Sequence, residues 1–246
     1  MNKLFLTDDG SHSVHSEQFS VNYHSTHGAI QESKHIFIDA GLKHFAQKSP
    51  KNDITVLEMG FGTGLNALLT YLAAEQNSWQ INYITVEAYP LSKEQFLALN
   101  YPEKLEKPES QAVFLKMHEA TWNEKHPLSK NVNFTKIKAD FKDIDFKNVA
   151  DVIYFDAFSP ESQPELWNER MMQIVYDALR EGGVMTTYCA KGSVKRALKS
   201  VGFQLESLKG PVGKREISRV TKNNIWNTAK FVTYFPAIDA NRFRII

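Results

Sequence analysis

The sequence predicts an α/β fold: a largely parallel sheet with helices on both faces. Three observations carry this. Short β-rich runs alternate with stretches of helical spacing along most of the chain, the arrangement that builds parallel strands joined by crossover helices. A glycine cluster stands between the first such strand and the first such helix, at residues 60–64. A carboxylate closes a fully apolar run at Asp156. In sheets of this kind ligands lie at the carboxyl ends of the strands, near the point where the strand order reverses. Residues at those ends should therefore carry the function.

The elements follow in order. Ile54–Glu58 is a β-rich run entering the glycines. Leu65, Leu68, Leu69 and Leu72 recur at i, i+3, i+4 and i+7, one face of a helix. Ile81–Glu87 reads as a second strand and Val132–Lys138, which alternates, as a third. Val152–Asp156 is a buried-type fourth strand. Trp167, Met171, Ile174 and Ala178 are helically spaced, and Gly182 and Gly183 read as the stop signals of that helix. Val184–Tyr188 is then a fifth strand. Val194, Ala197, Leu198 and Val201 mark another helix, and Phe203–Leu208 and Ile217–Val220 two last strands. Residues 1–50 form an extension before the first core strand. Residues 90–130 form an insertion between strands two and three, with helix-like stretches around Phe96–Leu99 and Val113–Met117. Excursions of that length are commonly functional. Residues 223–246 remain an unassigned tail. The 246 residues suit one domain with a sizeable core.

Composition narrows the class. The formal net charge is +1, from 29 basic and 28 acidic residues, so no uniformly basic or acidic partner is announced. The single cysteine, Cys189, excludes an internal disulfide framework and any multi-cysteine metal site, and points to a reducing compartment. It reads as a core thiol. No apolar run is long enough to span a membrane, and the patch Leu4–Leu6 is cut off by Asp8 and Asp9, unlike a secretory signal. A cytoplasmic protein is expected. His24, His27 and His35 lack a clustered acid or cysteine, so surface or loop histidines are expected and no metal.

The glycines constrain the ligand. Gly60, Gly62 and Gly64 alternate, which lets the backbone turn tightly and approach a ligand closely. A dinucleotide fingerprint would place its third glycine where Leu65 stands, and Glu58 at the strand end would repel a pyrophosphate. That weighs against a nicotinamide dehydrogenase. A ligand carrying an ammonium tolerates Glu58 better, and S-adenosylmethionine carries an ammonium and a sulfonium. Glu87 suits a ribose diol in either class. Asp140, after the third strand, occupies a position that such folds use for the adenine amino group.

Asp156-Ala157-Phe158-Ser159-Pro160 follows the fourth strand. The carboxylate could accept a hydrogen bond from an amine, aim its lone pair at an electrophile and take up a proton. Phe158 could stack on a planar base and Pro160 stiffens the loop. Lys191, Lys195, Arg196 and Lys199 recur at helical spacing, followed by Lys209, Lys214 and Arg215. They form either a solvated face or a phosphate-contacting one.

At this point the chain resembles the methyltransferase part of the MnmC family, whose stand-alone members are called MnmD. The motifs are EMGFGTGLN from Glu58 to Asn66, DAFSP from Asp156 to Pro160 and PELW from Pro164 to Trp167. They continue with Gly182-Gly183, KGSVKRAL from Lys191 to Leu198, Gly202-Phe203 and GKRE from Gly213 to Glu216. Upstream, Tyr23-His24-Ser25, Gly28-Ala29, Glu32-Ser33 and Phe37 match as well, so the resemblance spans about residues 5–220. It departs at Ala157, where a glycine is expected, and at Ser159, where an alanine is.

The resemblance implies a Rossmann-like S-adenosylmethionine-dependent methyltransferase sheet. It implies methylation of the amine of 5-aminomethyl-(2-thio)uridine at the tRNA wobble position, giving the 5-methylaminomethyl form, with the anticodon loop as partner. No FAD is expected, because the family's flavin-dependent oxidase is a further domain beyond the matched region. Glu58, Gly60, Gly62, Gly64 and Asn66 would line the methionine end, Glu87 would meet the ribose, and Asp140 with Phe141 the adenine. Asp156 would sit beside the transferred methyl as the catalytic residue. Tyr23 and Glu32 would help close the pocket. Phe158, Pro160, Lys191, Lys195, Arg196, Lys214 and Arg215 would contact substrate. The competing readings are a small-molecule, polyamine-type methyl or aminoalkyl transferase, which would show an acidic pocket without a basic surface, and a non-catalytic tRNA-binding module.

The charge is unevenly spread. Residues 180–246 hold about 13 basic and 4 acidic residues, leaving about 16 basic and 24 acidic in residues 1–179. A net value near zero therefore does not exclude a one-sided basic footprint.

Overall fold

The computed structural model describes residues 2–222; the tail expected at 223–246 lies outside them. The chain begins with a small antiparallel sheet of β1 (Lys3–Leu6), β2 (His12–Ser16) and β3 (Val21–Asn22). A continuous helical segment follows: α1 (Ala29–Ser33), a wider π-helical stretch (Lys34–Lys43) and α2 (His44–Lys48). It lies on the main sheet. Gly41 marks the closest approach, where an added Cβ would stand 3.1 Å from the Thr186 hydroxyl and 3.4 Å from the Tyr154 ring.

The main sheet begins with β4 (Asp53–Met59), followed by α3 (Leu65–Asn77) and β5 (Gln80–Glu87). The insertion contributes α4 (Lys93–Leu97), α5 (Tyr101–Lys104), α6 (Gln111–Glu119) and an edge strand β6 (Lys125–Pro127). Then come β7 (Val132–Lys138), β8 (Ala150–Phe155), α7 (Glu169–Ala178), β9 (Leu179–Thr187), α8 (Gly192–Ser200), β10 (Gln204–Lys209) and β11 (Glu216–Thr221). The strand order is β10-β11-β9-β8-β4-β5-β7-β6. β7, β5, β4, β8 and β9 run parallel, as expected. β6, β10 and β11 pair antiparallel at the two edges. The order reverses between β4 and β8, so the ends of these two strands flank the predicted ligand crevice.

Helices cover both faces. The amino-terminal helices, α3 and the insertion pack around Phe37, Tyr83 and Tyr154; α7 and α8 pack around Phe155, Met172 and Leu198 on the other side. β8 is buried along its whole length, as its apolar run required. The Asn168 side chain caps α7 by accepting from the Met171 N–H.

One boundary differs from expectation. Gly182 and Gly183 do not stop α7; the helix already ends at Ala178 and both glycines lie inside β9. The reason is a register irregularity against β8. Gly182 takes φ +75°, and a Cβ on Gly183 would stand 2.9 Å from the Asp151 carbonyl oxygen. These glycines shape a bulged strand.

Candidate active site

The ends of β4, β5 and β8 are tied together by backbone. The Gly60 N–H donates to the Val86 carbonyl at 3.0 Å and the Asp156 N–H to the Met59 carbonyl at 3.1 Å. A cleft opens over this junction. Gly60, Gly62, Asn66, Glu87, Asp140, Phe141, Asp156, Tyr23 and Phe158 all line it. The fold thus brings residues 133 positions apart, Tyr23 and Asp156, to one cavity.

The glycine loop is shaped from three sides. Gly62, at φ +48°, passes so close to Tyr23 that a Cβ would stand 2.9 Å from its ring. The Glu87 carboxylate, buried at the end of β5, accepts from the Gly62 N–H at 2.9 Å and the Tyr89 N–H at 2.7 Å. Burial raises its pKa and the backbone donors oppose that rise. Thr63 is held twice. His24 bonds its hydroxyl at 2.7 Å, and His118 on α6 donates from Nε2 to its carbonyl at 3.1 Å. Burial pushes His118 down to about 3, so it is neutral. Gly64, at φ +75°, lies against His118 and Phe61 at the start of α3 rather than on the cleft wall.

The loop after β8 is pinned as well. The Trp167 indole N–H donates to the Phe158 carbonyl at 2.7 Å, and the Tyr188 hydroxyl to the Ala157 carbonyl at 2.8 Å. Phe158 packs 5.1 Å from Phe19 and 4.9 Å from Tyr23, centroid to centroid. The amino-terminal extension therefore roofs the cleft with aromatic rings. Phe19 and His24 line the cleft, yet neither was selected from the sequence. His24 was expected at the surface or in a loop. Its signal was its place inside the Tyr23-His24-Ser25 motif.

Asp156 stands where two cavities meet. The second cavity is lined by Tyr23, Asp156, Phe158, Ser159, Tyr188, Glu32 and Lys214 among others, and shares Tyr23, His24, Asp156, Ala157 and Phe158 with the first. Asn66 donates from Nδ2 to Asp156 Oδ2 at 2.9 Å. Burial, followed by the nearby Glu32 charge, pushes Asp156 up to about 7, against the Asn66 hydrogen bond and the Lys214 charge. A carboxyl so poised can accept a proton near neutrality.

Other expected site residues lie elsewhere. Glu58 is wholly buried behind the cleft, with Oε2 accepting from the Thr85 hydroxyl at 2.8 Å. Burial raises its pKa well above the ordinary carboxylate value, against hydrogen bonds from Thr85, Tyr83 and Asn66. Glu32 faces the second cavity; it accepts from the Ser25 N–H at 2.8 Å and pairs with Lys214 at 3.3 Å. Pro160 borders neither cavity. Lys191 pairs with Glu161, and Lys195 with Glu216 at 2.7 Å and with the Ser207 hydroxyl at 2.8 Å. Arg196 and Arg215 are exposed. Cys189 is a buried free thiol, as read. Among the described residues no cluster of three or more potential metal ligands occurs, and no helix is long and apolar enough to cross a membrane.

Residues 102–223 match a family model described as S-adenosyl-L-methionine-dependent methyltransferase. A protein of Actinobacillus pleuropneumoniae named tRNA 5-methylaminomethyl-2-thiouridine biosynthesis bifunctional protein MnmC is 30% identical over 226 residues, covering 82% of this chain and 32% of that protein. A Marinomonas protein of the same name is 28% identical over 231 residues, covering 86% of this chain and 32% of its own. The chain thus spans about a third of the length of these curated relatives. The crystal structure of MNMC2 from Aquifex aeolicus superposes with a TM-score of 0.72 at 23% identity, covering 94% of this chain and 74% of that one. At that identity the likeness concerns the fold.

Proposed function

We propose that the chain is an S-adenosyl-L-methionine-dependent methyltransferase, the family whose model matches residues 102–223, and that it methylates the amine of 5-aminomethyl-(2-thio)uridine at the wobble position of tRNA. The observation that carries this reading is the position of Asp156 at the wall shared by two cavities. One cavity has the glycine loop and strand-end acids that suit a nucleoside-bearing cofactor. The other has the aromatic and charged groups that suit a planar base with an amine. The relatives' names supply the identity of that base.

The residues fit the cofactor. The backbone lies bare at Gly60 and Gly62, and two acids, Glu87 and Asp140, line the same cleft. In this reading Glu87 and Asp140 with Phe141 take the nucleoside, and Gly60, Gly62 and Asn66 the amino-acid end. S-adenosylmethionine, when bound, supplies an electrophilic methyl group. The protein's own part is to place the amine and keep it neutral. Asp156 accepts a hydrogen bond from the amine, aligns its lone pair and takes up the proton released on attack. Lys214 disfavours a second positive charge beside it. Tyr23, Phe158 and Tyr188 offer faces for the pyrimidine and exclude water. The exposed Arg196 and Arg215 are read as contacts to the phosphates of the anticodon loop. The reading takes the chain as one methyltransferase domain acting in the cytoplasm, with the two core clusters sharing one sheet in its support.

The test is direct. The protein is incubated with S-adenosylmethionine and tRNA bearing 5-aminomethyl-2-thiouridine, and the nucleosides are examined by mass spectrometry. A gain of one methyl on that nucleoside is expected. No gain with folded protein, or modification of a free polyamine instead, overturns the assignment.

A further inference from the structure

Consecutive carbonyls after β8 are engaged one by one. The Asp156 carbonyl oxygen lies against the glycine loop so closely that a Cβ on Gly60 would stand 2.9 Å from it. The Ala157 carbonyl accepts from the Tyr188 hydroxyl at 2.8 Å, and the Phe158 carbonyl from the Trp167 indole N–H at 2.7 Å. Just before them, the Asp156 N–H donates to the Met59 carbonyl at 3.1 Å. A peptide unit is planar, so holding its carbonyl or its N–H orients the whole plane and leaves little freedom to the dihedrals on either side. The planes from residue 155 to residue 159 are all held in this way, and with them the directions in which Asp156 and Phe158 project. The two side-chain donors are themselves fixed. Trp167, 5% exposed, meets Phe155 edge-on at 5.0 Å and Tyr188 at 5.8 Å, centroid to centroid. The Lys214 ammonium lies 4.8 Å from the centre of the Tyr188 ring. Indole and phenol thus pack on each other while each donates to the same segment.

We propose that Trp167 and Tyr188 are positioning residues that act as one clamp: by taking the Phe158 and Ala157 carbonyls they preset the Asp156 carboxyl and the Phe158 ring for methyl transfer. Loops that follow strands are ordinarily among the more mobile parts of a fold, and this one carries both the group assigned to the amine and a ring assigned to the base. A misplacement of about 1 Å can cost on the order of 10²-fold in rate. Spacing marked Trp167 as part of a helix face with Met171, Ile174 and Ala178, but α7 begins at Glu169 and the indole N–H is bonded back to the loop. The Tyr188 ring borders the cavity beside Asp156, while its hydroxyl is turned to the backbone. The effect on rate rests on the reading of Asp156 given above; the clamp on the loop does not.

The experiment compares wild type with Trp167→Phe, Tyr188→Phe, the double variant and, as a control, Tyr154→Phe. Each substitution keeps an aromatic ring and removes one donor. Tyr154 is wholly buried and bonded to Thr70 at 3.2 Å, so its variant loses a core hydroxyl without touching the loop. Amide hydrogen exchange is followed by peptide mass spectrometry, where the Ser162 and Gln163 N–H groups, both bonded to the Ser159 carbonyl at 2.9 Å, report on release of the loop. Single-turnover methylation of the aminomethyl-bearing tRNA gives the maximal rate and the half-saturating concentration, and calorimetry gives S-adenosylmethionine affinity. Trp167→Phe and Tyr188→Phe should each exchange faster over residues 156–163 and lower the maximal rate on the order of 10-fold, with cofactor affinity little changed. Because both donors hold one segment, the double variant should lose less than the product of the single losses. Losses that multiply, or exchange that matches wild type, overturn the clamp. A raised half-saturating concentration with the maximal rate intact overturns it too, since it makes the lost donor a substrate contact. So does an equal rate defect in Tyr154→Phe, which makes core stability the cause. If Trp167→Phe does not fold, exchange and rate in Tyr188→Phe decide. A wild type that methylates no nucleoside refutes the substrate reading, while faster exchange in the variants still shows the loop to be clamped.

Discussion

Asp156 carries opposing influences that can be separated one residue at a time. Burial and the Glu32 charge raise it to about 7, while Asn66 and Lys214 pull it down. An amine acceptor needs the carboxylate form, so the rate of methylation should rise with pH through a limb near 7. Glu32→Gln removes a negative neighbour and should move that limb to lower pH. Lys214→Met removes a positive neighbour and should move it up. Asp156→Ala should lower turnover by at least about 10²-fold while calorimetry still detects cofactor binding. Turnover near wild type in that variant would remove Asp156 from catalysis. The residue was legible because a carboxylate ending a run as apolar as VIYF has few places to go except a pocket rim. The full burial of Glu58 was not legible. A strand's side chains alternate between faces, and only the packing of α3 and β5 shows that this one points inward.

At the scale of elements, the glycine loop depends on segments distant in sequence. Thr63 is gripped by His24 from the extension and His118 from α6. His118→Leu leaves the Thr63 carbonyl without its donor, at a cost of about 1–3 kcal/mol. Calorimetry should show S-adenosylmethionine affinity weakened by roughly 5–100-fold. Because burial holds His118 near 3, this contact does not titrate around neutrality, and the ratio of wild-type to variant affinity should stay flat there. An unchanged affinity would make α6 a mere cover. The central strands and α3, α7 and α8 were readable from periodicity, since each buries one defined face. β6 was not, because it has three residues and ends in a proline. The start of β9 was hidden by glycines that usually end helices. In the roof, Tyr23 was expected from the family resemblance, but Phe19 against Phe158 was not, because nothing local pairs an extension with a loop more than 130 residues away.

For the whole molecule, the decisive quantity is how the cationic excess of residues 180–246 is spent. Some of it is consumed internally: Lys191 faces Glu161, Lys195 faces Glu216 and Lys214 faces Glu32. Lys195 is therefore a poor probe of an RNA surface, because reversing it also breaks an ion pair between α8 and β11. Arg196, Lys199, Lys209 and Arg215 are exposed and close to the same edge of the sheet. If they meet phosphate, each contact releases counterions and contributes to the salt dependence of binding. The double variant Arg196→Glu, Arg215→Glu should weaken tRNA binding at low salt. It should also reduce the slope of log affinity against log salt concentration by about 2, with S-adenosylmethionine binding unchanged. Lys195→Glu should instead lower the denaturant midpoint, since it leaves Glu216 facing a like charge. If the double variant keeps both affinity and slope, the exposed arginines form a solvated face. The acidic excess of residues 1–179 and the basic excess of the rest would then be a solubility balance, with recognition confined to the cavity beside Asp156.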